Sequence, residues 1–395
     1  MIAIPKGFRF AGISAGIKAD MSKKDMSLIF TDDACAVAGV YTQNLVVAAP
    51  VTLDRQRTPS NAIRGVIVNS GNANACTGQQ GFANTEAMCA AGAAEIGCAP
   101  EEVLVMSTGI IGVQLPMKKI IAGAKLLGTS RGEDSEAFLA AADGFLTTDN
   151  GRKTAGRQVE IGGQQITITG IAKGAGMIGI NMATFLSVVM TDARIDAATL
   201  QAIQSRVIQS TFNCVSVEGH TSTNDTFLLM ASGVVGSELN AEELAQFEGV
   251  LEEVCLELAK MIPADGEGAS HVLEIDVSGA GSDEDAREIA EAVANSNLVK
   301  TCVAGNDPNW GRIVSAVGYA GIDIDADQIV LHLLGQKLFE QSEPVTFDES
   351  ALSDAMRTSK EISIQLTVGS GPGSAKIWTS DLTTDYVVFN ADYHT

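Results

Sequence analysis

The sequence predicts a mixed α/β protein of layered sheets flanked by helices, and three observations carry that expectation. Short β-rich runs alternate along the chain with alanine- or leucine-rich segments of helical character. VEIGGQQITITGIA (159–172) sets Gly162-Gly163 between two alternating runs, the pattern of a tight hairpin. DEDAREIAEAVANS (283–296) is charged on one face and apolar on the other, as a helix laid on a sheet must be.

The elements follow in order. RGVIVNS (64–70) is a strand that runs into the glycine- and asparagine-rich turn GNANACTG (71–78). TEAMCAAGAAEIG (85–97) is a helix, with Asn84 or Thr85 as candidate cap. EVLVMSTGIIG (102–112) passes from strand into a glycine turn, and DSEAFLAAADGFL (134–146) is a helix. Two further helices are ATLQAIQSRVIQS (198–210) and AEELAQFEGVLEEVCLELAKMI (241–262). Strands follow in SHVLEIDV, DQIVLHLL and EISIQLTV, while GSGPGSA (369–375) is a turn too short to separate domains.

A chain of 395 residues makes two domains or one large layered one. Its 26 basic and 48 acidic residues give a formal charge of −22, with no cluster of Lys and Arg to offset it locally, which argues against a nucleic-acid partner. Seven scattered cysteines without a C-x-x-C pair suit a reducing compartment rather than a disulfide framework or zinc site. The N-terminus lacks the charged-then-apolar order of a signal peptide, and no run approaches the roughly 18 apolar residues of a membrane span. A cytoplasmic, soluble protein is the expectation.

Several motifs compete for the chemistry. KGAGMIGINMATFLSVV (173–189) aligns Gly174, Gly176 and Gly179 as G-x-G-x-x-G, the dinucleotide fingerprint. That motif needs a helix starting at its third glycine, and ATFLSVVMTD is β-branched with no helical stripe. GISAG (12–16) matches a nucleophile elbow at Ser14, but IKADMSKKD after it makes a poor buried helix. Of four histidines (220, 271, 332 and 394), His271 and His332 fall in strand-like patterns and read as structural, which leaves neither a serine triad nor a metal site. VNSGNANACTG (68–78), SVEGHTSTNDT (216–226) and AGNDPNWGR (304–312) are dense in turn-forming polar residues; they are either plain turns or the walls of a polar pocket. In STGIIG (107–112), a turn after a strand can aim the amides of Thr108 and Gly109 at one point, as an oxyanion hole requires.

NSGNANACTG, MSTGIIG, KGAGMI-x-x-NMAT, STNDT, DGEGAS, GNDPNWGR and the terminal DYVVFNADYHT, in this order, resemble the ornithine acetyltransferase (glutamate N-acetyltransferase) family of arginine biosynthesis over essentially the whole chain. The resemblance implies an N-terminal-nucleophile-like architecture with its own connectivity. It implies self-cleavage between Ala183 and Thr184 into an α chain (1–183) and a β chain (184–395) that stay together as one folded unit. Thr184 then becomes the nucleophile, with its new α-amine, of ordinary pKa about 7.7–8.0, as base. By the same resemblance Thr108 and Gly109 form the oxyanion hole, Thr147 (or Thr148, one position on) contacts substrate, and Lys173 meets a substrate carboxylate. Glu267 faces a substrate amino group, and Asn390 and Thr395 complete the pocket.

The implied reaction moves acetyl from N2-acetyl-L-ornithine to L-glutamate through an acetyl-threonine enzyme. No cofactor or metal is implied, although some members take acetyl-CoA as donor. The implied assembly is a heterotetramer of two α and two β chains. The sequence departs from the family at Gly179-Ile180, His220, Ser270-His271, Thr379, Ser380 and Thr384, which bears on substrate choice more than on mechanism. The alternatives are a related self-cleaving amidohydrolase, an acyltransferase of specialised metabolism, or a nucleotide-binding protein using the three glycines.

Overall fold

A computed structural model describes residues 2–180 and 185–392. The first part of the chain forms β1 (Phe8–Ile13), β2 (Met26–Tyr41), α1 (Ala49–Arg57), β3 (Ser60–Asn72), α2 (Gly78–Ile96), β4 (Val103–Ile110), α3 (Met117–Thr129), α4 (Ser135–Phe145), β5 (Lys153–Ile161) and β6 (Gln164–Lys173). Then come β7 (Leu186–Arg194), α5 (Ala197–Ser210), β8 (Val215–Ser216), β9 (Thr226–Glu238) and α6 (Ala241–Ala264). The remainder is β10 (Val272–Ala280), α7 (Asp283–Ala294), α8 (Asn297–Ala304), α9 (Trp310–Gly318), β11 (Val330–Leu333), β12 (Gln336–Glu340), β13 (Glu343–Pro344), α10 (Glu349–Thr358), β14 (Glu361–Thr367), β15 (Gly373–Ser380) and α11 (Thr384–Asp392).

These strands make two sheets. The first runs β4-β3-β2-β9-β7-β6-β5, with β1 added on β2; the second runs β13-β12-β11-β14-β10-β15-β8. The expected layers of sheet and helix are therefore present. In the centre of the first sheet, side chains alternate cleanly between faces. Phe227 and Leu229 of β9 pack with Leu251, Leu258 and other residues of α5 and α6, while Leu228 and Met230 point to the opposite core around Phe138 and Phe145 of α4. The second sheet is covered by α7, α9 and α10 through Ile289, Val293, Ile313 and Met356. The Gly162-Gly163 hairpin forms with Ile161 opposite Gln164, both glycines at positive φ. Among the described residues no helix is long and apolar enough to cross a membrane.

Three local expectations need revision or can be closed. The helix expected from residue 85 begins at Gly78, so Asn84 and Thr85 lie inside α2 and do not cap it. Their side chains are engaged by neighbouring loops instead: Asn74 Nδ2 donates to Thr85 Oγ1 (2.8 Å) and Asn84 Nδ2 to Gln114 Oε1 (3.1 Å). Among the described residues no helix starts at Gly179, and the next element is strand β7, so they do not build the dinucleotide geometry. Ser14 follows β1, and the loop after it is organised by the buried Asp25 carboxylate, which accepts the amides of Ala15, Ile17 and Lys18, rather than by an elbow helix.

Candidate active site

At one edge of the first sheet β4 and β6 end and β9 begins, and a cleft of about 200 Å³ opens there. Thr108 and Gly109 come from the end of β4, Thr147 and Thr148 from the loop after α4, and Lys173 from the last position of β6. Glu267 reaches in from the loop after α6 and Asn390 from α11. All lie on the wall of this single cleft, from five separate parts of the chain.

The turn at Thr108-Gly109 is held open by backbone geometry. Gly109 sits at φ +130°, and a Cβ there would fall 2.4 Å from the carbonyl carbon of Gly71, so only glycine fits. The β3–β4 ladder shifts register at this point, between Gly71 and Asn72. Asn224 ties the turn to its neighbours, donating from Nδ2 to Ala73 O (2.7 Å) and Ser107 O (2.9 Å). Ser107 Oγ in turn donates to Asn69 Oδ1 (2.7 Å). Two of the three polar clusters thus contribute wall residues to the pocket. The third does not: Asn309 caps α9 by accepting the Arg312 amide, and none of residues 304–312 lines the cleft.

Charge is concentrated behind one wall. The Asp149 side chain is fully buried and lies 2.7 Å from Lys153 Nζ and 3.8 Å from Lys173 Nζ. It also accepts the amides of Gly174 (2.7 Å) and Thr147 (3.0 Å), and Lys153 is paired a second time with Asp265 at 2.6 Å. Burial opposes ionisation of Asp149, but the two lysines and the hydrogen bonds win and hold its carboxyl well below the usual range. Burial lowers the pKa of Lys173, and Asp149 is the main group that raises it again.

The opposite wall is acidic. Glu267 accepts from Asn390 Nδ2 (3.0 Å), and its amide donates to Ala175 O (2.9 Å). A Cβ on Gly176 would lie 2.4 Å from the Glu267 carboxyl carbon, so this glycine gives the carboxylate its seat against the backbone. Glu218 lines the same cleft with both carboxyl oxygens buried and, among the described residues, without a hydrogen-bond partner. Burial pushes its pKa up to about 8; the amides of Ile178 and His220 approach without closing a hydrogen bond to it. Burial, then Glu218 and Glu267, push the Tyr386 phenol up to about 12.

The cleft therefore unites Thr108, Gly109, Thr147, Lys173, Glu267 and Asn390, and it includes both Thr147 and its neighbour Thr148. Ala183, Thr184 and Thr395 lie outside the described residues. Phe185, the next described residue, shares a small adjoining cavity with Thr108 and Lys173. Sequence reasoning missed Asp149, Glu218, Asn224 and Tyr386. Asp149 closes LTTD (146–149), which holds the expected Thr147, while Glu218 and Asn224 lie in SVEGHTSTNDT and Tyr386 in DYVVFNADYHT, so polar residues flanking the expected ones were the available signal.

Residues 9–395 match the ArgJ family. The chain is 50% identical to the arginine biosynthesis bifunctional protein ArgJ of Rhodopirellula baltica, over 99% of this chain and 96% of that protein. It is 45% identical to the protein of the same name from Geobacter sulfurreducens, over 99% of both. A crystal structure of the arginine biosynthesis bifunctional protein argJ from Bacillus halodurans is similar at 39% identity and a TM-score of 0.49, covering 51% of this chain and 96% of that one.

Proposed function

The chain belongs to the ArgJ family, the bifunctional ornithine acetyltransferases and glutamate N-acetyltransferases of arginine biosynthesis, and from that premise we propose how its own residues carry the reaction. The precursor cleaves itself between Ala183 and Thr184, and the freed Thr184 amine takes the proton of the Thr184 hydroxyl. The hydroxyl oxygen attacks the acetyl carbonyl of N2-acetyl-L-ornithine. Thr108 and Gly109 donate to the tetrahedral oxyanion, a contribution of about 3 kcal/mol for one such donor. The C–N bond breaks, the ornithine amine leaves with the proton, and the acetyl group stays on Thr184. The amine of L-glutamate then attacks this ester and carries the acetyl group away as N-acetylglutamate. Lys173 faces the α-carboxylate common to both substrates, Thr147 and Asn390 position the substrate, Glu267 faces an amino group, and Thr395 closes the pocket.

One observation supports this assignment above the others: residues as far apart as Thr108 and Asn390 meet on one small cleft, beside which Phe185 follows the scissile bond. Sheet order supports a cleaved pair that remains one folded unit. Strand β7 of the proposed β chain pairs with β6 of the α chain, and β9 pairs with β2, so the two chains interleave within one sheet. We expect two such pairs to assemble as a heterotetramer in the cytoplasm.

Intact mass under denaturing conditions tests the cleavage. Two species, 1–183 and 184–395, are expected, and a single chain in fully active protein refutes the N-terminal threonine. Thr184→Ala is expected to abolish both cleavage and transfer; retained transfer removes Thr184 as the nucleophile.

A further inference from the structure

Glu267 and Asn390 reach the cleft from segments far apart in sequence, the loop after α6 and helix α11. Asp381, on the connection from β15 to α11, ties the two segments together. Its side chain is fully buried and does not line the cleft. Oδ1 accepts the Ser270 amide (2.8 Å), Oδ2 accepts from Ser270 Oγ and lies 3.0 Å from His271 Nδ1, and the Asp381 amide donates to His271 O (3.1 Å). Two residues on, Thr383 Oγ1 donates to Gly268 O (2.6 Å) and accepts the Tyr386 amide (3.3 Å) in the first turn of α11. Gly268 permits this approach: it sits at φ +69°, and a Cβ there would fall 2.4 Å from Tyr386 N. Inside the cleft the same two segments meet again where Asn390 Nδ2 donates to Glu267 Oε2 (3.0 Å). Ser270, His271 and Asp381 do not form a nucleophilic triad, because Ser270 Oγ (2.8 Å) and Asp381 Oδ2 both meet Nδ1 of His271, whereas a triad needs the serine on the other ring nitrogen. Beneath them the buried Lys300 Nζ donates to Thr379 Oγ1 (2.8 Å) and Ser380 O, and the Leu382 amide donates to Lys300 O (3.3 Å). Four positions at which the sequence departs from its family, Ser270, His271, Thr379 and Ser380, are thus gathered in one cluster behind the Glu267 loop.

Building on the role given to Glu267 in the acetyl transfer above, we propose that Asp381 is a positioning residue, which clamps the 266–271 loop to the start of α11 and so holds Glu267 where it meets the substrate amino group. A carboxylate suits this task because it only accepts, so its two oxygens can take donors from consecutive loop residues at once. The loop is fixed at its other end by a second aspartate, Asp265, which accepts from Lys153 Nζ (2.6 Å) and from the Asn150 amide (3.0 Å). Between these anchors the Glu267 amide donates to Ala175 O (2.9 Å). Asp381 therefore acts at a distance from the reacting atoms, through the place it gives to Glu267.

Asp381→Asn keeps an acceptor for the Ser270 amide but sets an amide group where Ser270 Oγ and His271 Nδ1 now meet a carboxylate. Steady-state kinetics should show KM for N2-acetylornithine up about tenfold and kcat within about threefold, since Thr108 and Gly109 keep their places while Glu267 loses its own. Glu267→Gln alone should raise the same KM about tenfold, and the double variant should rise no further, because both changes act on one contact. Thr383→Val loses the bonds to Gly268 and Tyr386 and leaves the Asp381 carboxylate in place; it should raise this KM about threefold, and it decides the matter if Asp381→Asn does not fold. An unchanged KM in the variants that fold, a loss confined to kcat, or rises that multiply to about a hundredfold in the double variant overturn the proposal. A Glu267→Gln enzyme with unchanged KM instead overturns the role of Glu267 on which the proposal rests, and absence of acetyl transfer in the wild type overturns the functional assignment itself.

Discussion

Replacing Asp149 by Asn removes one charge with almost no change of shape, and the surrounding geometry sets the cost. The carboxylate faces Lys173 Nζ at 3.8 Å and Lys153 Nζ at 2.7 Å. At an effective dielectric constant of about 20, an attraction across that longer distance is worth about 4 kcal/mol. Lys153 retains Asp265 at 2.6 Å, whereas Lys173 loses the partner that offsets its burial. Breaking one side of such a buried pair costs about 3–5 kcal/mol. Unfolding entropy for 395 residues is about 0.8 kcal/mol/K, so Tm should fall by about 4–6 °C in calorimetry. The folded carboxyl of Asp149 titrates below its unfolded value of about 3.9. Its stabilisation is therefore complete above that pH and lost as pH falls through the folded value, so the Tm difference should hold from pH 5 to 9 and close only in stronger acid. Activity carries a second signature. Without Asp149, Lys173 gives up its proton more readily, so the alkaline limb of kcat/KM should move to lower pH. A Tm change below 1 °C together with an unmoved alkaline limb would refute the role of Asp149 as counter-ion.

Two substitutions of glycine test the walls of the cleft. Gly109→Ala forces a Cβ to 2.4 Å from Gly71 at a strained φ; steady-state kinetics should show kcat down by about 10²-fold with KM little changed, and a kcat within threefold of wild type would remove Gly109 from the oxyanion hole. Gly176→Ala pushes its Cβ against the whole Glu267 carboxyl, which should raise KM for N2-acetylornithine about tenfold; additivity with Glu267→Gln would show that Gly176 does not act through that carboxylate.

Local sequence carried much of the fold. The hairpin at Gly162-Gly163 was legible because two glycines at positive φ between alternating runs leave few other conformations. Helix α7 was legible because its apolar stripe of Ala286, Ile289, Ala290 and Val293 repeats at helical spacing. The start of α2 was not, since GQQG has poor helix propensity and the Asn and Thr further along resemble caps until tertiary partners claim their side chains. Strand order was equally out of reach. The neighbours β2-β9-β7-β6 are joined by long connections, and no local pattern says which strand lies beside which. For the site, motif resemblance supplied residues whose chemistry is visible by type, such as Lys173 and Glu267. It gave no reason to separate Asp149 from Thr147 in LTTD, because a counter-ion is defined by what surrounds it in space.

The same logic explains why two carboxyl groups beside one cleft behave in opposite ways. Asp149 has two ammonium groups and two backbone amides directed at it, so ionisation is favoured despite complete burial. Glu218 is similarly sheltered, but its burial is met by no hydrogen bond to its oxygens among the described residues and by an acidic neighbour in Glu267, so the neutral form is favoured. Environments that drive two titratable groups apart divide their tasks. Asp149 acts as a fixed charge that favours the cationic form of Lys173, the group proposed to meet the α-carboxylate that both substrates carry. Glu218, without such partners, is held as the neutral acid by its burial.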